Sequence, residues 1–188
     1  LISFANDDAS AQWGRIRCEL GHPEPFGLEY IGIGNEEVGE GFFERYPYFH
    51  KAIKEKYPDI QIIASSGPFA AGEYEKGWNC ARRNHADLVD EHYYMAPEWF
   101  LANHHRYDSF DENGPKVFLG EYASWGNTWY NALTEASYMT GMERNSEKVG
   151  LACYAPLLCN VNYINWKPDM IWFDNHQVYG SVNYYVQS

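Results

Sequence analysis

The segment LEYIGIGNE, residues 28–36, is an apolar run that closes in a polar pair. Such a run is typical of a buried parallel strand whose carboxyl end carries functional side chains. Two-residue alternation places Glu36 on one face of this strand together with Gly32 and Gly34. Because glycine has no side chain, we expect open space beside Glu36. The segment therefore predicts a strand that delivers a glutamate to the edge of a sheet.

The alternation of an apolar run and a helical stretch continues along the chain. After residue 36, the spacing of Phe42, Phe49 and Ile53 predicts a helix that stops at Pro58. Four more strands are predicted, namely IQIIASSGP from Ile60, LVDEHYY from Leu88, KVFLGEYA from Lys116 and VGLACYAPL from Val149. Helical stretches separate them, one running from about Trp129 to Asn145, and VYGSVNYYVQS predicts a final helix.

Five strands that alternate with helical segments predict β/α units and a parallel sheet. Because no low-complexity linker interrupts the series, we expect one continuous α/β domain over residues 1–188. The pattern alone is compatible with an open sheet covered by helices on both faces. It is equally compatible with part of an eight-stranded barrel.

Composition narrows the classes of function. A formal net charge of −12 argues against a nucleic-acid partner, since such proteins concentrate Lys and Arg against phosphates. No apolar run approaches the roughly 20 residues of a membrane span. Aromatic residues make up 18% of the chain, which suits the flat faces of sugars as well as an ordinary core. The chain starts at Leu1 without a leader, so we expect it to begin inside a longer protein.

Polar side chains cluster where the predicted strands end. Asn35, Glu36 and Glu37 close the first strand, residues 91–94 the third, and Glu121 the fourth. Strict alternation would put Glu121 on the same face as Val117 and Leu119, and would group Asp90, His92 and Tyr94 on the third strand. Any one of these acids is more often a solvated strand end. Two carboxylates at one edge nevertheless suit glycosidic cleavage, where one protonates the leaving oxygen and the other attacks or activates water.

The order of several motifs carries a resemblance to a known family. They are GIGNEE (32–37), SSGP (65–68), DEHYY (90–94), GPKVFLGEYA (114–123), ALTEASYMTGMERNS (132–146), CYAPLL and WKPDMIWFDNHQVYGSVNYYVQ. Together they resemble the family 51 α-L-arabinofuranosidases of the large retaining-glycosidase clan, over nearly the whole chain. The resemblance implies a TIM (β/α)8 barrel in which the five strands are β4 to β8, the N-terminal strands lying outside the chain.

The resemblance also implies roles for individual residues. Glu36 would be the acid/base and Glu121 the nucleophile. Asn35 would bind the sugar 2-hydroxyl. His92 and Tyr94 would hold the nucleophile and the sugar ring, with Tyr93 as the alternative tyrosine. Trp125 follows the nucleophile strand and would either stack on sugar or pack in the core.

The expected activity is retaining hydrolysis of terminal non-reducing α-L-arabinofuranosyl residues from arabinose-containing glycans. The alternatives are another enzyme of the clan, such as a xylosidase, and an inert carbohydrate-binding fragment. No cofactor and no metal are expected, and the pair His104 and His105 is interpreted as a solvated helix face. We further expect an extracytoplasmic location and association of the chain through its open barrel edges.

Overall fold

A computed structural model describes residues 1–188, and it places the five predicted strands in one sheet. The strands are β1 (Tyr30–Ile33), β2 (Gln61–Ser65), β3 (Leu88–Met95), β4 (Lys116–Ser124) and β5 (Val149–Tyr154). They lie side by side in chain order, and every neighbouring pair is parallel. The prediction of a parallel α/β sheet is confirmed.

Helices connect the strands and complete the β/α alternation. Before β1 lie α1 (Ile2–Asn6) and α2 (Gln12–Glu19), and between the strands lie α3 (Glu40–Lys56), α4 (Tyr74–Arg83), α5 (Pro97–Ala102), a 3-10 turn (Arg106–Ser109) and α6 (Trp129–Arg144). The helix expected before Pro58 is α3, and the one expected from Trp129 is α6. A capping box between Thr128 and Asn131 fixes the start of α6.

The core lies on one face of the sheet only. Tyr46 of α3, Trp78 of α4, Phe100 of α5 and Tyr138 of α6 all join the same buried cluster, which includes Val89 of β3. The four main helices therefore cover the same face. An open sheet with helices on both faces does not describe this chain. The opposite face carries the polar strand-end residues.

A β-bulge in β4 changes which face Glu121 occupies. Leu119 pairs with Glu91, but the next pair joins His92 to Glu121, so Gly120 is an extra residue in β4. Leu119 is fully buried in the core, whereas Glu121 lines the opposite face. The expectation that the two share a face is wrong, because the bulge reverses the alternation between them.

The C-terminal region differs from the predicted single helix. A second sheet of three short strands, β6 (Leu158–Asn160), β7 (Ile171–Phe173) and β8 (Val178–Gly180), precedes α7 (Val182–Gln187). Only the last part of VYGSVNYYVQS is helical, because Ser181 caps α7 and residues 178–180 pair with β7. None of the helices is both long and apolar enough to cross a bilayer.

Candidate active site

Glu36 reaches the polar face of the sheet through an unusual backbone. β1 ends at Ile33, and Gly34 turns the chain with φ 85°. Glu36 itself has φ 54°, in the left-handed region that non-glycine residues seldom adopt. Such a conformation costs about 1–3 kcal/mol and is concentrated at functional sites. The space at Gly34 is not left open as expected, since a Cβ there would collide with the Glu37 side chain.

β3 supplies three site residues from alternate positions. Asp90, His92 and Tyr94 share the polar face, as two-residue alternation predicts. The His92 ring is 2% exposed, and its Nδ1 lies 2.8 Å from Glu36 Oε1. Its Nε2 lies 3.1 Å from Asp90 Oδ2. The imidazole therefore joins a carboxylate that follows β1 to one in its own strand, β3.

Glu121 enters from β4, directly beside His92. The Tyr94 hydroxyl donates a hydrogen bond of 2.8 Å to Glu121 Oε2. The same carboxylate oxygen is 3.6 Å from His92 Nδ1. Burial and the hydrogen bond to Glu121 raise the pKa of Tyr94 well above its ordinary value. The phenol thus remains protonated and acts as a donor, which leaves the other oxygen of Glu121 free to react.

His92 is positively charged at neutral pH. Burial disfavours the imidazolium, but hydrogen bonds to Asp90 and Glu36 and the charge of Glu121 outweigh it and raise the pKa of His92 to about 9. Both ring nitrogens are then donors. A fixed positive charge consequently lies between the two glutamates.

A cleft of ≈ 660 Å³ opens above these groups. Its aromatic side is made by Trp125 and Trp166, whose rings lie 5.1 Å apart, and by Tyr94, whose ring is 5.2 Å from Trp166. Trp125 is 47% exposed, so it is a cleft residue rather than a core residue. This combination of aromatic faces and carboxylates suits a small polyhydroxylated ligand.

The segment that carries Trp125 is anchored from beneath by a buried glutamate. Glu135 of α6 accepts hydrogen bonds from both the backbone and the hydroxyl of Ser124, and from the amides of Asn183 and Gln187. Burial raises the pKa of Glu135 despite these donors. The network ties the end of β4 to α6 and α7. Sequence reasoning missed Glu135, because nothing in a helical pattern marks its partners.

Two residues proposed from the sequence lie outside the cleft. Tyr93 faces the core, is 1% exposed and donates to Glu91, so its role as the alternative tyrosine is wrong. The β3 alternation decides this choice in favour of Tyr94. Asn35 is exposed and does not line the cleft. Trp166 was not predicted as a site residue, since it lies 41 residues beyond Trp125 in an irregular segment.

One group of side chains has the composition of a metal site. Glu36, His92 and Glu121 each offer one ligand atom, and these atoms lie within 4.8 Å of one another. A metal ion would require the neutral imidazole of His92, since only that form has a lone pair to donate. His105, interpreted from the sequence as part of a solvated helix face, is exposed but lies in a turn, where it pairs with Asp108. That no metal is needed stays a prediction.

Comparisons with known proteins agree on one family. Residues 1–112 match the family model described as α-L-arabinofuranosidase 1 domain, and residues 120–188 match the α-L-arabinofuranosidase C-terminal domain. The first match ends in the loop before β4 and the second begins inside β4, so both matches contribute strands to one continuous sheet.

Named relatives and a solved structure cover the whole chain. An extracellular exo-α-L-arabinofuranosidase of Streptomyces chartreusis is 52% identical over 100% of the chain and 23% of its own length. α-L-Arabinofuranosidase 1 of Arabidopsis thaliana is 37% identical over 99% of the chain and 27% of its own length. The structure of an arabinose-bound α-L-arabinofuranosidase of family 51 superposes with a TM-score of 0.83 at 34% identity, over 99% of this chain and 31% of that one. The chain thus spans about a quarter of the length of its curated relatives.

Proposed function

The chain belongs to the family 51 α-L-arabinofuranosidases, and on this premise we propose that it carries the catalytic pair of a retaining glycosidase. Glu121 is the nucleophile and Glu36 is the acid/base. The substrate is a glycan with terminal non-reducing α-L-arabinofuranosyl residues. A relative of the chain was solved with arabinose bound, which supports this class of substrate.

The separation of the two glutamates is the observation that carries the proposal. One carboxylate oxygen of Glu36 and one of Glu121 lie within 4.8 Å of each other. Retaining enzymes hold the two carboxyl groups about 5–5.5 Å apart, whereas inverting enzymes leave about 6.5–9.5 Å for a water molecule. The gap in this cleft favours direct attack.

The reaction proceeds in two displacements. Glu121 attacks the anomeric carbon, the glycosidic bond breaks, and Glu36 gives its proton to the departing oxygen. Water then attacks the same carbon of the glycosyl ester while Glu36 takes up a proton from this water. The ester bond to Glu121 breaks, and arabinose leaves with its original anomeric configuration.

Neighbouring side chains prepare the two glutamates for these steps. Tyr94 orients Glu121 by its 2.8 Å hydrogen bond, so that the other oxygen faces the anomeric carbon. His92 holds the carboxyl of Glu36 by an equally short contact. Trp125 stacks on the sugar at the mouth of the cleft, and Asn35 binds the 2-hydroxyl.

The five strands are β4 to β8 of a (β/α)8 barrel, and residues 1–188 form the second half of its catalytic domain. In support, the site lies at the carboxyl ends of the strands and the helices cover one face, as in barrels. β1 and β5 each lack a second neighbour, so the chain alone has two open edges. It is therefore expected to associate through these edges and to hydrolyse substrate poorly.

We call the enzyme that contains all eight β/α units the complete-barrel enzyme. It acts on arabinan, arabinoxylan or related oligosaccharides. The Streptomyces relative is described as extracellular, which supports an extracytoplasmic location. No cofactor takes part in this mechanism.

Paired substrates test the proposal. The complete-barrel enzyme is expected to cleave an aryl α-L-arabinofuranoside at least about a hundredfold faster than the matching β-D-xylopyranoside, the scale on which sites reject a misfitting substrate. Proton NMR of the first product should show retention. Preference for the xyloside would instead identify a xylosidase of the same clan, and inversion would contradict the assigned pair. If neither substrate is hydrolysed, the remaining interpretation is a carbohydrate-binding protein without activity.

A further inference from the structure

Asp90 has no assigned part in the reaction, yet it lies beneath His92 within the site. Its Oδ2 contacts His92 Nε2 at 3.1 Å, and its side chain is only 13% exposed. Its Oδ1 is buried and has no hydrogen-bond partner in the chain. Burying a carboxylate oxygen without a hydrogen-bond partner costs free energy, so the presence of Asp90 at this position needs an explanation. The charge that Asp90 presents to His92 provides one.

Gly120, the extra residue of the β4 bulge, makes room for this carboxylate. A Cβ at position 120 would lie 2.1 Å from Asp90 Oδ1 and 3.1 Å from the Phe118 ring. The backbone of Gly120 lies outside the left-handed region, so the need for glycine is spatial rather than conformational. The same bulge turns Glu121 toward His92. One irregularity in β4 thus accommodates Asp90 and aims Glu121.

We propose that Asp90 is a positioning residue that keeps His92 charged and fixed between Glu36 and Glu121, and that Gly120 is required because Asp90 fills its side-chain space. This inference rests on the proposed function of the two glutamates. With Nε2 held by Asp90, the ring plane is set and Nδ1 points at Glu36. The imidazolium then orients the Glu36 carboxyl and offsets part of the negative charge of the cleft.

The charged and titratable groups around this pair come from four elements. Glu36 follows β1, Asp90 and Tyr94 belong to β3, and Glu121 belongs to β4. On β5, burial and the charge of Asp90 raise the pKa of the Cys153 thiol. The carboxylates favour the charged form of His92, and burial opposes it. Asp90 differs from the two glutamates because it does not line the cleft and cannot reach substrate.

The imidazole titration of His92 tests the inference without any substrate. In the complete-barrel enzyme, nitrogen-15 NMR of histidine rings, assigned with His92→Gln, should show an apparent pKa near 9 for His92. Asp90→Asn removes the charge but keeps the shape, and it should lower this pKa by at least about one unit toward 6.5. A wild-type His92 that titrates near 6.5, or an unchanged titration in Asp90→Asn, would overturn the proposal even if the enzyme is fully active. The titration of wild-type His92 can contradict the proposal by itself. The test therefore remains decisive even if Asp90→Asn fails to fold.

Kinetics add a second readout. Asp90→Asn should reduce kcat more than it changes KM, and the basic limb of the pH profile should move to lower pH, because His92 loses its proton earlier. A purely structural carboxylate would leave that limb unmoved. Asp87→Asn is the matched control, since Asp87 precedes β3 and pairs with Lys54 and the Ile62 backbone outside the cleft. Its His92 titration and pH profile should equal those of the wild type.

Gly120→Ala tests the spatial half of the inference. The added methyl group must displace Asp90, so the His92 pKa should fall as in Asp90→Asn, and the melting temperature should drop. In an Asp90→Ala background the same change should lower the melting temperature much less, because the colliding oxygen is gone. Equal losses in both backgrounds would show that Gly120 is needed for another reason.

Discussion

The two faces of β3 hold acids of opposite character at adjacent positions. Glu91 points into the core, and Asp90 lies on the cleft face beneath His92. Both side chains are withdrawn from solvent, and both belong to the same DEHYY motif. They differ in how completely their oxygens are hydrogen bonded.

On the core face, Glu91 is fully satisfied. Four donors converge on its carboxylate, namely the hydroxyls of Tyr74, Tyr93 and Tyr107 and the indole nitrogen of Trp78. Arg106 lies 3.8 Å away and also stacks on the rings of Tyr74 and Tyr93. Such a network compensates for the burial of the charge and links β3 to α4 and the 3-10 turn.

On the cleft face, the acids remain partly unsatisfied. Asp90 has one unpaired oxygen, and the side chains of Glu36 and Glu121 are 37% and 32% exposed. Their common partner, His92, carries the only positive charge among them. A carboxylate with every oxygen occupied can only stabilise the fold, whereas a carboxylate that is also partly exposed to the cleft can exchange a proton or attack carbon. The contrast separates Glu91, a structural acid of the core, from the acids of the cleft face.

The largest expected effect is the loss of activity when an acid of the cleft face is substituted. In the complete-barrel enzyme, Glu121→Gln should reduce hydrolysis of an aryl α-L-arabinofuranoside by at least about 10³-fold, because the amide is a poor nucleophile. Its melting temperature should stay close to that of the wild type. Retention of a tenth of the activity would remove Glu121 from the nucleophile role. Glu98→Gln, a substitution on α5 outside the cleft, serves as the control.

On the core face, substitution of an acid is expected to reduce stability. Glu91→Gln turns one acceptor oxygen into a donor that faces other donors, and it leaves Arg106 without its counter-charge. We expect a loss of about 3 kcal/mol in the free energy of unfolding, measured by denaturant titration. Glu75→Gln on the exposed side of α4 should change the free energy by less than about 0.5 kcal/mol. Similar values for both variants would mean that the Glu91 network does not stabilise the core.

The charge of His92 should make stability depend on pH. Its folded pKa of about 9 lies above the ordinary value of 6.5, so its contribution is fully present below about pH 6.5 and is lost as the pH rises through 9. The wild type should therefore lose about 2–3 kcal/mol of stability across this window relative to His92→Gln. Parallel curves of unfolding free energy against pH for the two proteins would contradict a charged His92.

The smallest effect concerns the aromatic side of the cleft. Trp125→Ala should raise KM about threefold to tenfold with little change in kcat, because it removes a stacking face but no reacting group. Trp129 is the matched control, since it is 67% exposed at the start of α6 and does not line the cleft. If Trp129→Ala raises KM as much as Trp125→Ala does, sugar stacking is not specific to Trp125.

Much of the sheet could be predicted from the sequence, because each strand is a local apolar run that ends in polar residues. All five strands and the helices around Phe49 and Ser137 follow from such local periodicity. The small sheet β6 to β8 could not be predicted, since its strands have only three residues each and their pairing joins segments far apart in the chain. Short strands carry too little periodicity to be distinguished from loops.

The sequence by itself determined the candidate catalytic residues: an Asn-Glu pair and a Gly-Glu-Tyr motif at two strand ends, with DEHYY between them. Only the tertiary structure decided which way those residues face. The bulge at Gly120 brings Glu121 to His92, and the alternation of β3 leaves Tyr93 in the core and Tyr94 in the cleft. The reason is physical, because a bulge depends on the fit between two strands. At Gly120 a side chain would collide with Asp90 of the neighbouring strand, and no single segment of the chain encodes that contact.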